Sequence, residues 1–133
     1  MTYGGRLVEL PTEEAWAYLA STQTGRIAWN GPEGLSILPL NFTVVDGRVW
    51  LRTAPYSSWL HDVVGREVAF EADETDAFTR SGWSVLIRGV LQLADGMETP
   101  PEAVDAPAWP AGSRIQHLYV AATKVTARQL LPS

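Results

Sequence analysis

The chain has 133 residues, a formal net charge of −5 and no cysteine. This length fits a single domain over residues 1–133, and the missing cysteines exclude disulfides, thiolate metal ligands and a cysteine nucleophile. The acidic balance argues against a general nucleic-acid or anionic-membrane binder. Since no apolar run resembles a signal or a transmembrane helix, a cytoplasmic location is expected.

A short helix is predicted near the start of the chain. Thr12 is the expected N-cap, and Glu13 and Glu14 place negative charge in the first turn. Gly25 is expected to end the segment that follows the helix. A first strand is then predicted over Arg26 to Trp29.

Residues 37–53 predict a β-hairpin. Asp46-Gly47 supplies the two positive-φ residues of a type I′ turn, and a two-residue loop would place Asn41 opposite Arg52. Because side chains alternate along a strand, the hairpin has an apolar face and a polar face. The polar face carries Asn41, Thr43, Arg48, Trp50 and Arg52.

The end of this hairpin has the composition of an anion site. The turn after Arg52 is rich in hydroxyls, and a helix predicted over Ser57 to Val64 would be capped by Ser57 or Ser58. A guanidinium is a planar fork that binds two phosphate oxygens at once. The alternative for Arg52 is a solvated arginine paired with a carboxylate.

The remaining elements are mostly strands. They are predicted over Glu67 to Asp73 and Trp83 to Leu93, the latter with a bulge at Gly89. A Pro-rich loop over residues 94–113, with one turn of helix around Glu102 to Val104, would lead to strands over Ile115 to Ala121 and Lys124 to Leu130. Many short strands and one or two helices indicate a small, mainly β barrel.

Six short motifs, in this order, carry a resemblance to a known family. They are Gly25-Arg26-Ile27-Ala28, Pro39-Leu40-Asn41-Phe42, Arg52-Thr53-Ala54-Pro55, Ala69-Phe70-Glu71-Ala72-Asp73, Gly82-Trp83-Ser84-Val85 and Trp109-Pro110-Ala111-Gly112. Together they resemble the pyridoxamine 5′-phosphate oxidase-like, FMN-binding split-barrel family, in particular its small bacterial members related to nitroimidazole-resistance proteins.

This resemblance implies a split β-barrel of about six antiparallel strands, a homodimer, and FMN bound at the dimer interface. It implies that Arg52 and Thr53 bind the ribityl phosphate together with Ser57 and Ser58. It also implies that Pro39 and Asn41 lie beside the isoalloxazine edge. The implied cofactor-binding residues are Pro39, Asn41, Arg52, Thr53, Ser57, Ser58, Trp83, Ser84 and Trp109.

Two of these residues also have an ordinary structural explanation, and one departs from the family pattern. Asn41 also fits a cross-strand polar pair, and Trp83 fits a buried structural tryptophan. Ser58 stands where family members often have a lysine. Loss of that cation is expected to weaken phosphate binding by about 1–3 kcal/mol, unless Arg66, Arg88 or Arg114 compensates.

No other chemistry is indicated by the sequence. His61 and His117 are the only histidines and do not form a metal-ligand pattern. The acidic residues from Glu71 to Asp76 fit a solvated strand end, with a divalent-metal site as the alternative. The resemblance implies an FMN-dependent oxidoreductase that moves hydride or electrons between a reduced nicotinamide, or another carrier, and a small organic acceptor. The alternatives are an F420-dependent reductase of the same fold, and a non-catalytic dimer that binds flavin or haem.

Overall fold

The computed structural model describes residues 6–53, 58–94 and 116–132, without the side chains of Thr53 and Ser58. These residues form seven strands and two helices. In chain order they are β1 (Arg6–Glu9), α1 (Thr12–Ala20), β2 (Thr24–Gly31), β3 (Gly34–Val45), β4 (Arg48–Thr53), α2 (Ser58–Val63), β5 (Glu67–Asp76), β6 (Ser81–Leu93) and β7 (Gln116–Leu131).

Six of the strands form a closed antiparallel circuit. Their order is β7-β4-β3-β2-β5-β6, and β6 pairs again with β7. The long strand β7 pairs with β6 along one edge, and with β4 and then β1 along the other. The predicted mainly β barrel is therefore confirmed. Strand β1 was not predicted, because all four of its residues are exposed and give no alternating pattern.

The core fills the inside of this circuit. Buried residues recur at every second position of the strands, as a barrel with one dry face requires. Phe42 and Phe70 meet edge to face with ring centroids 4.8 Å apart, and burying each such side chain contributes about 1.5–3 kcal/mol. Helix α1 adds Ala15 and Leu19 to the core, and α2 adds Leu60 and Val63.

The hairpin of β3 and β4 forms as predicted at its turn. Asp46 and Gly47 have φ angles of 54° and 70°, the two left-handed residues of a type I′ turn. The ladder between the two strands ends at the pair Phe42–Leu51. The expected pairing of Asn41 with Arg52 is therefore not formed, and Asn41 pairs with Thr24 of β2 along the other edge of β3.

The predicted bulge at Gly89 is confirmed. The register between β6 and β7 shifts between Arg88 and Gly89. A Cβ at Gly89 would run into the backbone carbonyl of Ala121. Glycine is therefore required here for the close approach of two backbones.

Two predictions about the start of the chain are wrong. Pro11, not Thr12, is the N-cap of α1, and it provides no side-chain cap. Gly25 does not precede the first barrel strand but lies inside it, since β2 begins at Thr24. A Cβ on Gly25 would lie 2.5 Å from Cζ of Phe70, so the glycine makes room for that ring.

The later element boundaries also differ from the predictions. Strand β5 continues to Asp76 and β6 begins at Ser81, so the predicted gap over residues 74–82 shrinks to a tight turn. The two predicted C-terminal strands are one strand, β7. Strands extend here because the long β5–β6 and β6–β7 ladders satisfy backbone groups that a loop would leave to water. The predicted Pro-rich loop lies outside the described residues, except for Ala94 at its start.

Candidate functional site

The candidate site lies on the outer face of the barrel, where β4 pairs with β7. Arg52 is directly opposite His117, and Trp50 is directly opposite Tyr119. Side chains that are opposite each other in an antiparallel ladder project from the same face. Since residues two apart on a strand also share a face, these four side chains form one patch.

Arg52 carries an unsatisfied donor in this patch. The residue is partly buried, and its Nη1 atom is buried without a hydrogen-bond partner. The ion pairs formed within the described residues both belong to Arg26, so Arg52 is not the carboxylate-paired arginine of the alternative interpretation. Leaving a buried charged donor unpaired costs free energy, which an anionic ligand would recover.

An aromatic cluster adjoins Arg52. The ring centroids of Trp50 and Tyr119 are 5.1 Å apart with the planes inclined at 47°, and Cζ of Arg48 lies 4.2 Å from the centroid of Tyr119. Trp50 is only 5% exposed although it points away from the core. Stacking and the cation–π contact hold this cluster in one arrangement beside the arginine.

Pro39 and Asn41 are both exposed on β3. The Thr24 hydroxyl donates to Oδ1 of Asn41 over 3.1 Å, so the cross-strand polar pair exists, but with β2. Within the described residues, the amide N–H groups of Asn41 make no hydrogen bond. They remain available as donors to a ligand on this face.

A cluster of three charged groups lies beside Pro39. Arg26 is opposite Pro39 in the ladder, and its Nη1 lies 2.9 Å from Oε1 of Glu71 and 3.6 Å from Oδ2 of Asp73. Burial, then the hydrogen bond and negative charge of Asp73, raise the pKa of Glu71 from 4.5 to about 7, against the opposing effect of Arg26. Glu71 therefore changes its charge near neutral pH.

The sequence pattern predicts that the acidic residues from Glu71 to Asp76 form a solvated strand end. The available signal was the spacing of two residues between Glu71 and Asp73, which places both carboxylates on one face of β5. From the sequence alone, His117, Trp50 and Tyr119 have no predicted role. The alternation had already placed Trp50 on the polar face of the hairpin, but only the β4–β7 ladder brings Tyr119 and His117 to it.

Trp83 and Ser84 are not brought to Arg52 within one subunit. Trp83 points into the barrel end, 9% exposed, whereas Ser84 projects from the outer face. Trp83 and Ser84 pair with Gln129 and Arg128 of β7. Arg52 pairs with His117, which lies eleven residues before Arg128 on the same strand. At about 3.3 Å per residue this is up to roughly 36 Å along the strand. Contact of Trp83 and Ser84 with the same flavin as Arg52 stays a prediction that requires a second subunit.

Several predicted site residues fall outside the described structure. These are Ser57 and Trp109, together with the side chains of Thr53 and Ser58. The backbone of Thr53 pairs with Gln116 at the end of the β4–β7 ladder. Of the arginines expected to compensate for the missing lysine, Arg66 follows α2, Arg88 lies on β6, and Arg114 is outside the described residues.

The described residues contain no group of three or more His, Cys, Asp or Glu side chains that could hold a metal ion. Neither α1 nor α2 is long and apolar enough to cross a membrane.

Comparison with known proteins links this architecture to one family. Residues 11–129 match the family model described as pyridoxamine 5′-phosphate oxidase. The chain is 40% identical over 89 residues to the uncharacterised protein Rv0080 of Mycobacterium tuberculosis, an alignment that covers 63% of this chain but only 59% of that relative.

Solved structures share the fold. A protein from Mycobacterium smegmatis described as FAD-binding has a TM-score of 0.73 and 27% identity, covering 93% of this chain and 98% of its own. A protein from Bacteroides thetaiotaomicron assigned to 5-nitroimidazole antibiotic resistance has a TM-score of 0.74 at 13% identity, covering 96% of this chain and 89% of its own. At that lower identity, the likeness concerns the fold alone.

Proposed function

Because this chain belongs to the pyridoxamine 5′-phosphate oxidase family, we propose that it is a flavin-dependent oxidoreductase. It would move hydride or electrons between a reduced nicotinamide, or another reduced carrier, and a small organic acceptor. The observation that carries the proposal is the buried, unpartnered Nη1 of Arg52 beside the Trp50–Tyr119 cluster. A cation next to aromatic rings suits a ligand that has both a phosphate and a flat ring system.

Arg52 would bind the ribityl phosphate. Its unsatisfied donor fits an oxyanion, and His117 lies across the ladder as a second nitrogen-bearing side chain on the same face. The proposal applies to FMN and equally to the FMN half of FAD, since both contain this phosphate. The FAD-binding relative from Mycobacterium smegmatis supports a test of both forms.

Asn41 and Pro39 would lie along the flavin ring. The amide N–H groups of Asn41, which have no partner in the described part of the chain, can donate to a ring carbonyl or nitrogen, and Pro39 offers an apolar edge. The flavin, when bound, supplies the redox chemistry, while the protein supplies position and electrostatics. With this division of roles, a site proposed to hold a phosphate requires no acid–base constellation like that of a hydrolase.

A second copy of the chain would complete the site. Strand β3 presents Leu35, 87% exposed, and Ile37, 65% exposed, on the same outer face as Pro39. Neighbouring apolar side chains on an outer sheet face favour a protein interface. We therefore propose a homodimer joined through this face, in which the partner covers the flavin.

The direct test is the cofactor of the purified protein. A flavin absorbance band, with FMN or FAD identified by chromatography after denaturation, is the expected result. Protein that is colourless and takes up neither added FMN nor added FAD would overturn the proposal. A Soret band in its place would favour the haem-binding alternative. Oxidation of a reduced nicotinamide with a quinone or nitroaromatic acceptor then tests turnover separately.

A further inference from the structure

A second concave site lies at the barrel end, away from the Arg52 patch. A cleft of about 710 Å³ opens between α1 and the β5–β6 hairpin, within the size range of small-molecule sites. It is lined by Glu14, Ala17, Tyr18, Ser21, Glu74, Trp83 and Gln129. A smaller cleft of about 520 Å³ shares Glu74 and Trp83 with it, so the two meet over these residues.

The floor of the cleft is aromatic and fixed. The rings of Tyr18 and Trp83 have centroids 5.2 Å apart with the planes inclined at 34°. Nε2 of Gln129 donates to the Tyr18 hydroxyl over 3.2 Å, which holds the tyrosine ring in place. The flat face of a ligand can therefore pack against side chains that are already ordered, so little entropy is lost on binding.

Trp83 also contributes an unused donor. The residue is 9% exposed, yet its indole N–H makes no hydrogen bond within the described chain. The Nε1 atom of Trp83 is not fully buried, so it keeps contact with solvent. An indole N–H at the floor of a cleft can donate to an oxygen atom of a ligand.

The walls of the cleft are negative. Glu14 and Glu74 approach from α1 and β5, and neither belongs to an ion pair in the described structure. Among the described residues, the lining contains no lysine, arginine or histidine. Unpaired carboxylates beside aromatic faces attract cations and repel anions such as the phosphates of nucleotides.

We infer that this cleft binds an organic ammonium ion with a flat apolar body and an acceptor oxygen. The ammonium group lies between Glu14 and Glu74, the body packs on Tyr18 and Trp83, and the oxygen accepts from the indole N–H. The cleft does not include the residues proposed to hold the flavin phosphate, but it shares Trp83 with the predicted flavin-binding residues, so competition between the two ligands is part of the test.

Tyramine is a suitable probe, because tyrosol replaces its ammonium by a hydroxyl on the same frame. In ¹H–¹⁵N spectra, tyramine is expected to shift one tryptophan indole resonance saturably, the one that disappears in Trp83→Phe. By calorimetry, Glu74→Gln and Glu14→Gln are each expected to weaken binding by about twofold to fivefold. Glu67→Gln and Glu13→Gln, which change the same charge on the same elements outside the cleft, leave the affinity unchanged.

Several outcomes would overturn the inference. They are equal affinity for tyrosol, absence of a saturable shift, and equal losses in the control variants. Displacement of tyramine by FMN would also overturn it, because the cleft would then hold the flavin ring against Trp83. If the protein binds no flavin but binds tyramine as expected, the proposed function fails while this site stands.

Discussion

Arg52 faces His117 across the β4–β7 ladder, and Nη1 of Arg52 is buried with no hydrogen-bond partner. In a folded protein, such a donor is usually satisfied by a carboxylate, a carbonyl or water. Here the surrounding strands supply no such partner within the described residues. The pair marks the position where a ligand oxyanion would complete the structure.

Arg52→Ala should weaken flavin binding about 10- to 100-fold, the value of a hydrogen bond between charged groups. The flavin affinity of Arg52→Lys should lie between that of Arg52→Ala and that of the wild type, since lysine keeps the charge but loses the planar fork. Fluorescence quenching of added FMN and FAD measures both. Arg6→Ala removes an exposed arginine of β1 as the control, and equal binding by Arg52→Ala and wild type would place the phosphate elsewhere.

The same arginine should destabilise the flavin-free protein. Arg52→Met removes the buried, unpartnered Nη1 of a partly buried arginine and keeps an apolar side chain of similar length, so the free energy of unfolding should rise by about 1 kcal/mol. Arg48→Met removes the cation–π contact with Tyr119 and should lower it by about 0.5–1 kcal/mol. Urea denaturation of flavin-free protein measures both. A loss of stability in Arg52→Met would show that the guanidinium is already satisfied.

Glu71 should make stability depend on pH. Its folded pKa is raised from 4.5 to about 7, so the folded protein retains a proton that the unfolded chain has released. The free energy of unfolding should therefore fall as the pH rises from 4.5 to about 7, relative to Glu71→Gln. Because the carboxyl is one-third exposed, solvent screening reduces the expected difference to about 1–2 kcal/mol. Urea titrations across this range measure it, and parallel curves for the two proteins would contradict the raised pKa.

Gly89→Ala should lower the free energy of unfolding by about 2–4 kcal/mol, because the added methyl group forces the backbone to shift. The added Cβ meets the carbonyl of Ala121. Gly47→Ala is the comparison, because its φ is +70° but the space around it is open. Its cost should be about 1 kcal/mol, from backbone strain alone. Equal losses would mean that close packing at the bulge is not limiting.

Ile37→Glu should convert the proposed dimer to monomers, since it buries a carboxylate in an apolar interface. Phe78→Glu makes a similar change at a residue that is 96% exposed on the β5–β6 turn, away from β3, and should leave the dimer intact. Sedimentation measures the mass of both variants. A wild-type monomer, or a dimeric Ile37→Glu variant, would move the interface from this face.

Local rules were sufficient for much of the fold. The Asp46-Gly47 turn and the bulge at Gly89 follow from backbone sterics, which act over a few residues. The family follows from an ordered set of motifs that the family model confirms. The errors fall where a long-range contact overrides a local signal, as at Gly25, where the glycine accommodates Phe70 instead of ending a segment.

The sequence by itself determined the hairpin and the polar face that carries Arg52, because a two-residue turn and strand alternation require no distant contact. Only the tertiary structure decided what surrounds that arginine. Pairing of β4 with β7 brings His117 and Tyr119 across more than sixty residues of chain, and pairing of β3 with β2 takes Asn41 to Thr24. Strand partners are chosen by closure of the whole barrel around its core, and this choice cannot be derived from any single segment.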